Sequence, residues 1–361
     1  MSIFDYILKY GKYTFSEMNF NEIDNVIFAS LSYLNLEGIV SKSAKNKISI
    51  GEIYKALSKK KHTTEITAVR NAYELLKAIS NKKRFKDIYA YSYLYIGDDS
   101  QQFSALCFDI NDDVVYVSFE GTDHLISGWE EDFKMGYEFP VLSQKHAIRY
   151  LNKNFTISSK KLIIGGHSKG GNLALVGSMY CNFLVRNKII SIYSNDGPGL
   201  RKKQLESNNY KRIEDKLIKI IPNYSIVGLL LRHTDNYIVI KSTKKNLYAH
   251  AVVNWVVNEN HFERAKLSDF SKIVDDGMIK WLDKYDDKQR EDFVKCLFDI
   301  FRRSNVNSLI QIIDNKKVIF KLLRETSFSI DPLTKTMIKD FIYVILKYSK
   351  DYELEKIKGL F

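Results

Sequence analysis

Gly166-His167-Ser168-Lys169-Gly170 fits the pattern G-x-S-x-G, and its surroundings make the pattern informative. Leu162-Ile163-Ile164 before it reads as a buried strand, and Asn172-Leu173-Ala174-Leu175-Val176 after it as the start of a helix. A serine on such a strand-to-helix bend is a nucleophile elbow, the turn that presents a hydroxyl for acyl transfer. The bend forces its central residue into a strained backbone conformation, so the flanking residues must be small. Gly166 and Gly170 meet that demand, and Gly171 lets helix and strand approach closely. The hydroxyl then stands at a helix N-terminus, whose dipole favours developing negative charge. Without this context the same residues are a glycine-rich turn carrying an ordinary serine.

A serine hydroxyl at neutral pH needs a base within hydrogen-bond reach and an acid that orients the base. On this kind of elbow the chain order is Ser, acid, His. Three histidines follow Ser168. His250 falls in a loop after the last expected strand, where the base belongs; His233 precedes that strand, and His261 is expected in a polar helix. For the acid, Asp196 follows an expected strand and is turned by Gly197-Pro198-Gly199, with Asp235 as the alternative. The more usual place is the loop after the next strand, but Pro222-Asn223-Tyr224-Ser225 contains no acid. The oxyanion needs two backbone N–H donors. Lys169, directly after the nucleophile, is one; Thr122, in the loop after Val114–Phe119, is the other, with Gly121 allowing close approach.

These side chains require a scaffold, and the hydropathy pattern supplies one in three regions. Residues 1–87 read as helical, with apolar spacing over 21–34 and 66–79, the second helix lying against the sheet that follows. Residues 88–264 alternate strand and helix. Ile88–Ile96 and Phe103–Phe108 flank Gly97-Asp98-Asp99-Ser100 as a hairpin. Val114–Phe119, Lys161–Gly165, Ile189–Tyr193, Leu217–Ile221 and Tyr237–Ile240 are further strands, and a helix is expected from Ser168 to about Leu184. Buried apolar strands alternating with helices indicate an α/β architecture, a mostly parallel sheet covered on both faces. Residues 265–361 read as helical, an appendage serving as a lid or an interaction module. Within it Phe293, Leu297 and Ile300 share one face; Met337, Phe341, Val344 or Ile345 and Tyr348 share another; Asp331-Pro332 marks a helix start.

At these residues a family resemblance is visible. Phe119-Glu120-Gly121-Thr122 with Trp129 and Asp132 resembles the F-R-G-T … W … D segment of class 3 lipases, with Glu120 in place of the Arg. The chain more closely resembles the Mbeg-like bacterial family of α/β-hydrolases, over roughly residues 19–258. The resemblance rests on Asn21-Glu22-Ile23-Asp24-Asn25, on Gly121-Thr122-Asp123 with Trp129-Glu130-Glu131-Asp132-Phe133, and on the elbow with Gly171 and Asn172. Asp196-Gly197-Pro198-Gly199 and a late His before Trp255 complete it. Class 3 lipases carry their acid where Ser225 stands here, a departure that moves the acid to Asp196. The resemblance implies a serine hydrolase acting on an ester, lipid-like in character.

Composition bounds the alternatives. With 361 residues, 45% apolar, the chain is long enough for two domains or one large domain with an appendage. Four prolines and 13% aromatics exclude a collagen-like or disordered chain. Three cysteines, Cys107, Cys181 and Cys296, sit among apolar neighbours and suit a reducing compartment. The N-terminal segment lacks signal-peptide architecture and no apolar run reaches the length of a membrane span, so the expected location is cytoplasmic. Lys and Arg number 55 against 43 acids, a formal +12, but the cations are scattered in short clusters such as Lys59-Lys60-Lys61 and Lys82-Lys83-Arg84, which read as solvated surface. No nucleic-acid recognition motif, P-loop or metal-ligand cluster is visible, and neither cofactor nor metal is expected. The expected partner is a small-molecule or lipid ester. A catalytically silent hydrolase-fold protein that binds an anionic partner or membrane surface is the alternative.

Overall fold

The structure is a computed structural model and describes residues 1–59, 64, 66–98, 101–122, 126–303 and 331–346. At its centre an eight-stranded sheet runs in chain order: β1 (Ile48–Ser49), β2 (Tyr89–Asp98), β3 (Gln101–Asp109), β4 (Val114–Phe119), β5 (Lys161–His167), β6 (Ile189–Asn195), β7 (Leu217–Pro222) and β8 (Ile238–Ile240). Strands β1 to β4 pair antiparallel, and β4 to β8 pair parallel. The expected hairpin is β2–β3; Gly97 and Asp98 belong to its strands, while Asp99 and Ser100 lie outside the described residues. So do Lys60, Lys61, Asp123 and Tyr348.

The strand order has a geometric consequence. Right-handed crossovers that always step to the next strand in the same direction place their helices on one face. That face carries α6 (Leu142–Phe155) and α7 (Lys169–Tyr180), packed on Val115, Val117, Phe119, Ile164 and Ile192. Tyr116, Ile163, Tyr193 and Ile220 point the other way. Their cover comes from the N-terminal helices α1 (Ile3–Tyr10), α2 (Glu22–Leu31), α3 (Ile50–Leu57) and α4 (Thr67–Ile79). The result is an α/β-hydrolase-like fold.

Local chemistry accounts for departures from the sequence reading. The helix expected to lie on the sheet, α4, packs instead on α1, α2 and α3, and α2 is the one against β4 and β5. Every residue of α2 from Ile23 to Leu31 is buried, as a helix between two layers requires, whereas α4 buries a single stripe through Ala72, Leu75, Leu76 and Ile79. The elbow helix stops at Tyr180 rather than Leu184, because Asn182 starts a new turn by accepting from Val185 N at 3.0 Å. His261 lies on a two-residue strand pairing with Val257–Asn258, not on a helix. Residues 265–303 form the helices Asp269–Lys284 and Asp287–Arg303, with α5 (Ile126–Lys134) and the helix Pro332–Leu346 packed beside them. As expected, Asp331 caps that last helix, accepting from Thr334 N at 2.9 Å. Among the described residues no helix is long and apolar enough to cross a membrane.

The basic cluster at 82–84 also reads differently in three dimensions. Arg84 is fully buried against Asp24 of α2, each side chain 0% exposed. Its Nε donates to Asp24 Oδ1 at 2.8 Å, and its Nη groups donate to the carbonyls of Met18 (2.8 Å) and Asn19 (3.0 Å). Tyr6 of α1 donates to the same carboxylate at 3.0 Å. One guanidinium therefore fastens the loop before α2, α2 itself and the chain after α4. Removing one partner of a buried pair strands the other charge. R84M is expected to lower the unfolding free energy by about 3–5 kcal/mol, read from urea denaturation; a change within error of zero would show that the pair is not the fastening.

Candidate active site

Ser168 joins β5 to α7 with φ 58° and ψ −131°, a left-handed conformation that side chains other than glycine rarely adopt. Neighbouring residues leave room only for hydrogen. A Cβ on Gly170 would meet Phe119 O at 2.1 Å, and one on Gly121 would meet His167 O at 2.4 Å and Ser168 Cβ at 3.0 Å. The second contact sets the loop after β4 directly on the serine. Ser168 N donates to Asn195 O at 2.9 Å, tying the bend to the end of β6. Lys169 opens α7, so its N–H has no acceptor within the helix and points out at the dipole's positive end.

Asp196 directly follows β6 in a left-handed conformation, φ 48°, its N–H bonded to Ile220 O of β7 at 2.7 Å. That twist brings its carboxylate against His250: Nδ1 lies 2.6 Å from Asp196 Oδ2. The other oxygen accepts from Ser225 Oγ at 2.5 Å and Gly228 N at 3.1 Å. Ser225 occupies the position where the class 3 lipase pattern carries its acid, and here it supplies a donor to the acid one strand away. With Nδ1 donating to the carboxylate, the imidazole lone pair is left on Nε2.

His250 sits on the short 3-10 turn Asn246–His250 and is held from a second side by the residue preceding the serine. The rings of His167 and His250 lie 4.3 Å apart, and His167 Nε2 is 2.9 Å from the His250 carbonyl. A carbonyl only accepts, so His167 donates through Nε2 and its Nδ1 takes the Tyr33 hydroxyl at 2.9 Å. The other candidates lie apart from this cluster. His233 Nε2 meets Asp275 at 3.1 Å, Asp235 is exposed, and His261 lies on the strand already described.

The loop after β4 is braced from α5. Thr122 Oγ1 donates to Asp132 Oδ2 at 2.7 Å, and both side chains are buried. The Lys169 side chain turns away from the serine and lies fully buried, 3.0 Å from Gln102 O and 3.3 Å from Glu131. The motif asparagines brace the same region. Asn172 donates to Gly199 O at 2.7 Å, fixing the loop beyond Asp196. Asn25 of α2 donates to Asn195 Oδ1 at 2.8 Å, and Asn195 donates to Gly166 O at 3.0 Å beneath the bend. The roles of Tyr33, His167, Asn25 and Ser225 were not readable in the sequence, because each acts through a contact distant along the chain.

Asp132, with Trp129, Phe133, Leu231, Met278 and Trp281, lines a mostly apolar cavity of about 50 Å³ between α5, the loop after Asp196 and the C-terminal helices. Burial pushes the Asp132 carboxyl up to about 7, against the opposing pull of the Lys169 charge and the Thr122 hydrogen bond. Among the described residues no group of His, Cys, Asp and Glu is arranged to hold a metal ion.

A family model described as Mbeg1-like matches residues 79–299. The comparison with curated proteins returned no match. Among solved structures, the crystal structure of M37 lipase is similar at 14% identity, covering 63% of this chain and 77% of that one, with a TM-score of 0.34.

The Asp132 environment has a signed consequence. Its carboxyl titrates near 3.8 when exposed and near 7 when folded, so between those values the folded protein holds more protons than the unfolded chain. This group's contribution to stability therefore declines as pH rises through that window. D132N removes the decline while keeping an oxygen for Thr122. The expected result in urea unfolding is a stability difference between D132N and wild type that shifts in favour of D132N as pH rises from about 4 to about 7. Parallel curves would overturn the assignment.

Proposed function

This chain belongs to the Mbeg1-like family, and we propose that it is a serine hydrolase cleaving a carboxylic ester through an acyl-enzyme on Ser168. The observation that carries this reading is the 2.6 Å bond from His250 to Asp196, with the His250 carbonyl held by His167, the residue before a serine at φ 58°.

In this mechanism Ser168 Oγ attacks the ester carbonyl carbon while His250 Nε2 takes its proton. Asp196 holds the imidazole in the tautomer with Nε2 free and stabilises the imidazolium. The negative oxygen of the tetrahedral intermediate is received by the backbone N–H groups of Thr122 and Lys169, at the N-terminus of α7. The hydrogen bond from Thr122 to Asp132 keeps the first donor in position. Collapse expels the alcohol, which takes the proton from His250. Water then attacks the acyl-enzyme with His250 as base, and the acid is released. The chemistry calls on no metal or cofactor.

The apolar cavity beside Asp132 supports an ester with an apolar acyl group, as in a lipase or esterase, with the C-terminal helices forming its far wall. The basic surface suits peripheral contact with an anionic membrane carrying such a substrate.

A fluorophosphonate probe is expected to label wild type at Ser168, with the modified residue found by peptide mapping. S168A is expected to lose both labelling and hydrolysis of short p-nitrophenyl esters while its circular dichroism is unchanged. A wild type that neither labels nor hydrolyses favours the silent binding protein, and an S168A variant that hydrolyses as well as wild type removes Ser168 as the nucleophile. D196N is expected to lower kcat by about 10³–10⁴-fold; an unchanged kcat would remove Asp196 from the acid role.

A further inference from the structure

The inward face of β7 carries a charge where an apolar side chain would be ordinary. Lys219 lies within Leu217-Ile218-Lys219-Ile220-Ile221 and is 5% exposed. Its register partner on β6 is Ser194, 1% exposed and on the same face of the sheet. Among the described residues neither Lys219 Nζ nor Ser194 Oγ has a hydrogen-bond partner. Both line one small pocket beside α7, with Leu175, Tyr210, His233 and Thr234.

We propose that Lys219 Nζ and Ser194 Oγ bind one small monovalent anion of chloride size.

Three observations carry the proposal. First, an ammonium taken from water without a counter-charge is strongly unfavourable. Burial draws Lys219 down to about 8, so it is still charged at neutral pH. Second, the two carboxylates whose fields reach it make no hydrogen bond to it. Asp196 is engaged by His250, Ser225 and Gly228, and Asp275 by His233. Third, the pocket holds about 10 Å³, the room of one water-sized sphere. That leaves room for one monatomic ion or one water and excludes phosphate or a carboxylate-bearing metabolite. Ser194 Oγ lies against the backbone of the elbow, 2.8 Å from where a Cβ on Gly171 would stand and 2.6 Å from where one on Gly197 would stand. The hydroxyl from β6 and the ammonium from β7 line the same pocket at one register position.

Bromide is the probe. In crystals of the full chain grown with bromide, an anomalous peak is expected within hydrogen-bond reach of both Lys219 Nζ and Ser194 Oγ. A site occupied by water alone, or without density, overturns the proposal. In solution the thermal midpoint is expected to rise with bromide over gluconate at matched ionic strength. K219M is expected to lose that increment, and S194A to weaken apparent bromide affinity by about fivefold, the worth of one hydrogen bond. If K219M does not fold, S194A and the anomalous map decide. A variant that responds to bromide as wild type does overturns the proposal. None of these readouts depends on turnover at Ser168, so the result stands apart from the proposed hydrolase activity.

Discussion

A serine held at positive φ is the constraint on which the rest of this structure depends. Such a conformation costs about 1–3 kcal/mol and persists only where its surroundings over-determine it. Here they do so from two directions. From the side of the sheet, Ser168 N is bonded to Asn195 O, and Asn195 in turn grips Gly166 O on the near side of the bend. From beneath, Asn25 of α2 clamps Asn195, and Tyr116 of β4 donates to Asn25 Oδ1 at 2.8 Å. The N-terminal layer is thus part of what keeps the bend in shape, besides covering an apolar face.

The same economy governs the carboxylate. Asp196 stands just past the end of β6, and its left-handed turn aims it at His250. Ser225, just past the end of β7, donates to it. A donor at one strand end and an acceptor at the next make one hydrogen-bonded unit. His167 contributes from the opposite side by holding the His250 carbonyl, so that imidazole is fixed through its backbone as well as its ring.

What could be read from the sequence was what depends on neighbours in the chain. The elbow is local: a strand, two glycines at fixed spacing and a helix, all within 161–180. The sequence favoured Asp196 over Asp235 and His250 over His233 without closing either choice, and the fold pairs Asp196 with His250. The parallel strands announced themselves as short apolar runs. Where the reading went astray, distant contacts decided. Arg84 looks like one of three solvated cations until Asp24, sixty residues earlier, is seen opposite it. His261 is the local exception: it closes a tight hairpin onto Asn258, three residues back, with Glu259 at φ 56° in the turn. The choice between α2 and α4 as the helix on the sheet turned on all-round burial. An apolar stripe is visible in a sequence, whereas α2 carries a charged Asp24 inside its fully buried run, so its pattern does not announce a helix enclosed on every side.

The sequential strand order bears on how the chain comes to be folded in the first place. Asn25 and its partner Asn195 are 170 residues apart. During synthesis at about 5–20 residues per second, α2 emerges on the order of 10–30 s before the strand it must grip. For that interval its Phe, Ile and Val side chains have no sheet to cover, and the nascent polypeptide carries an adhesive segment at its leading end. Those side chains are covered only when the second parallel crossover, from β5 to β6, is in place.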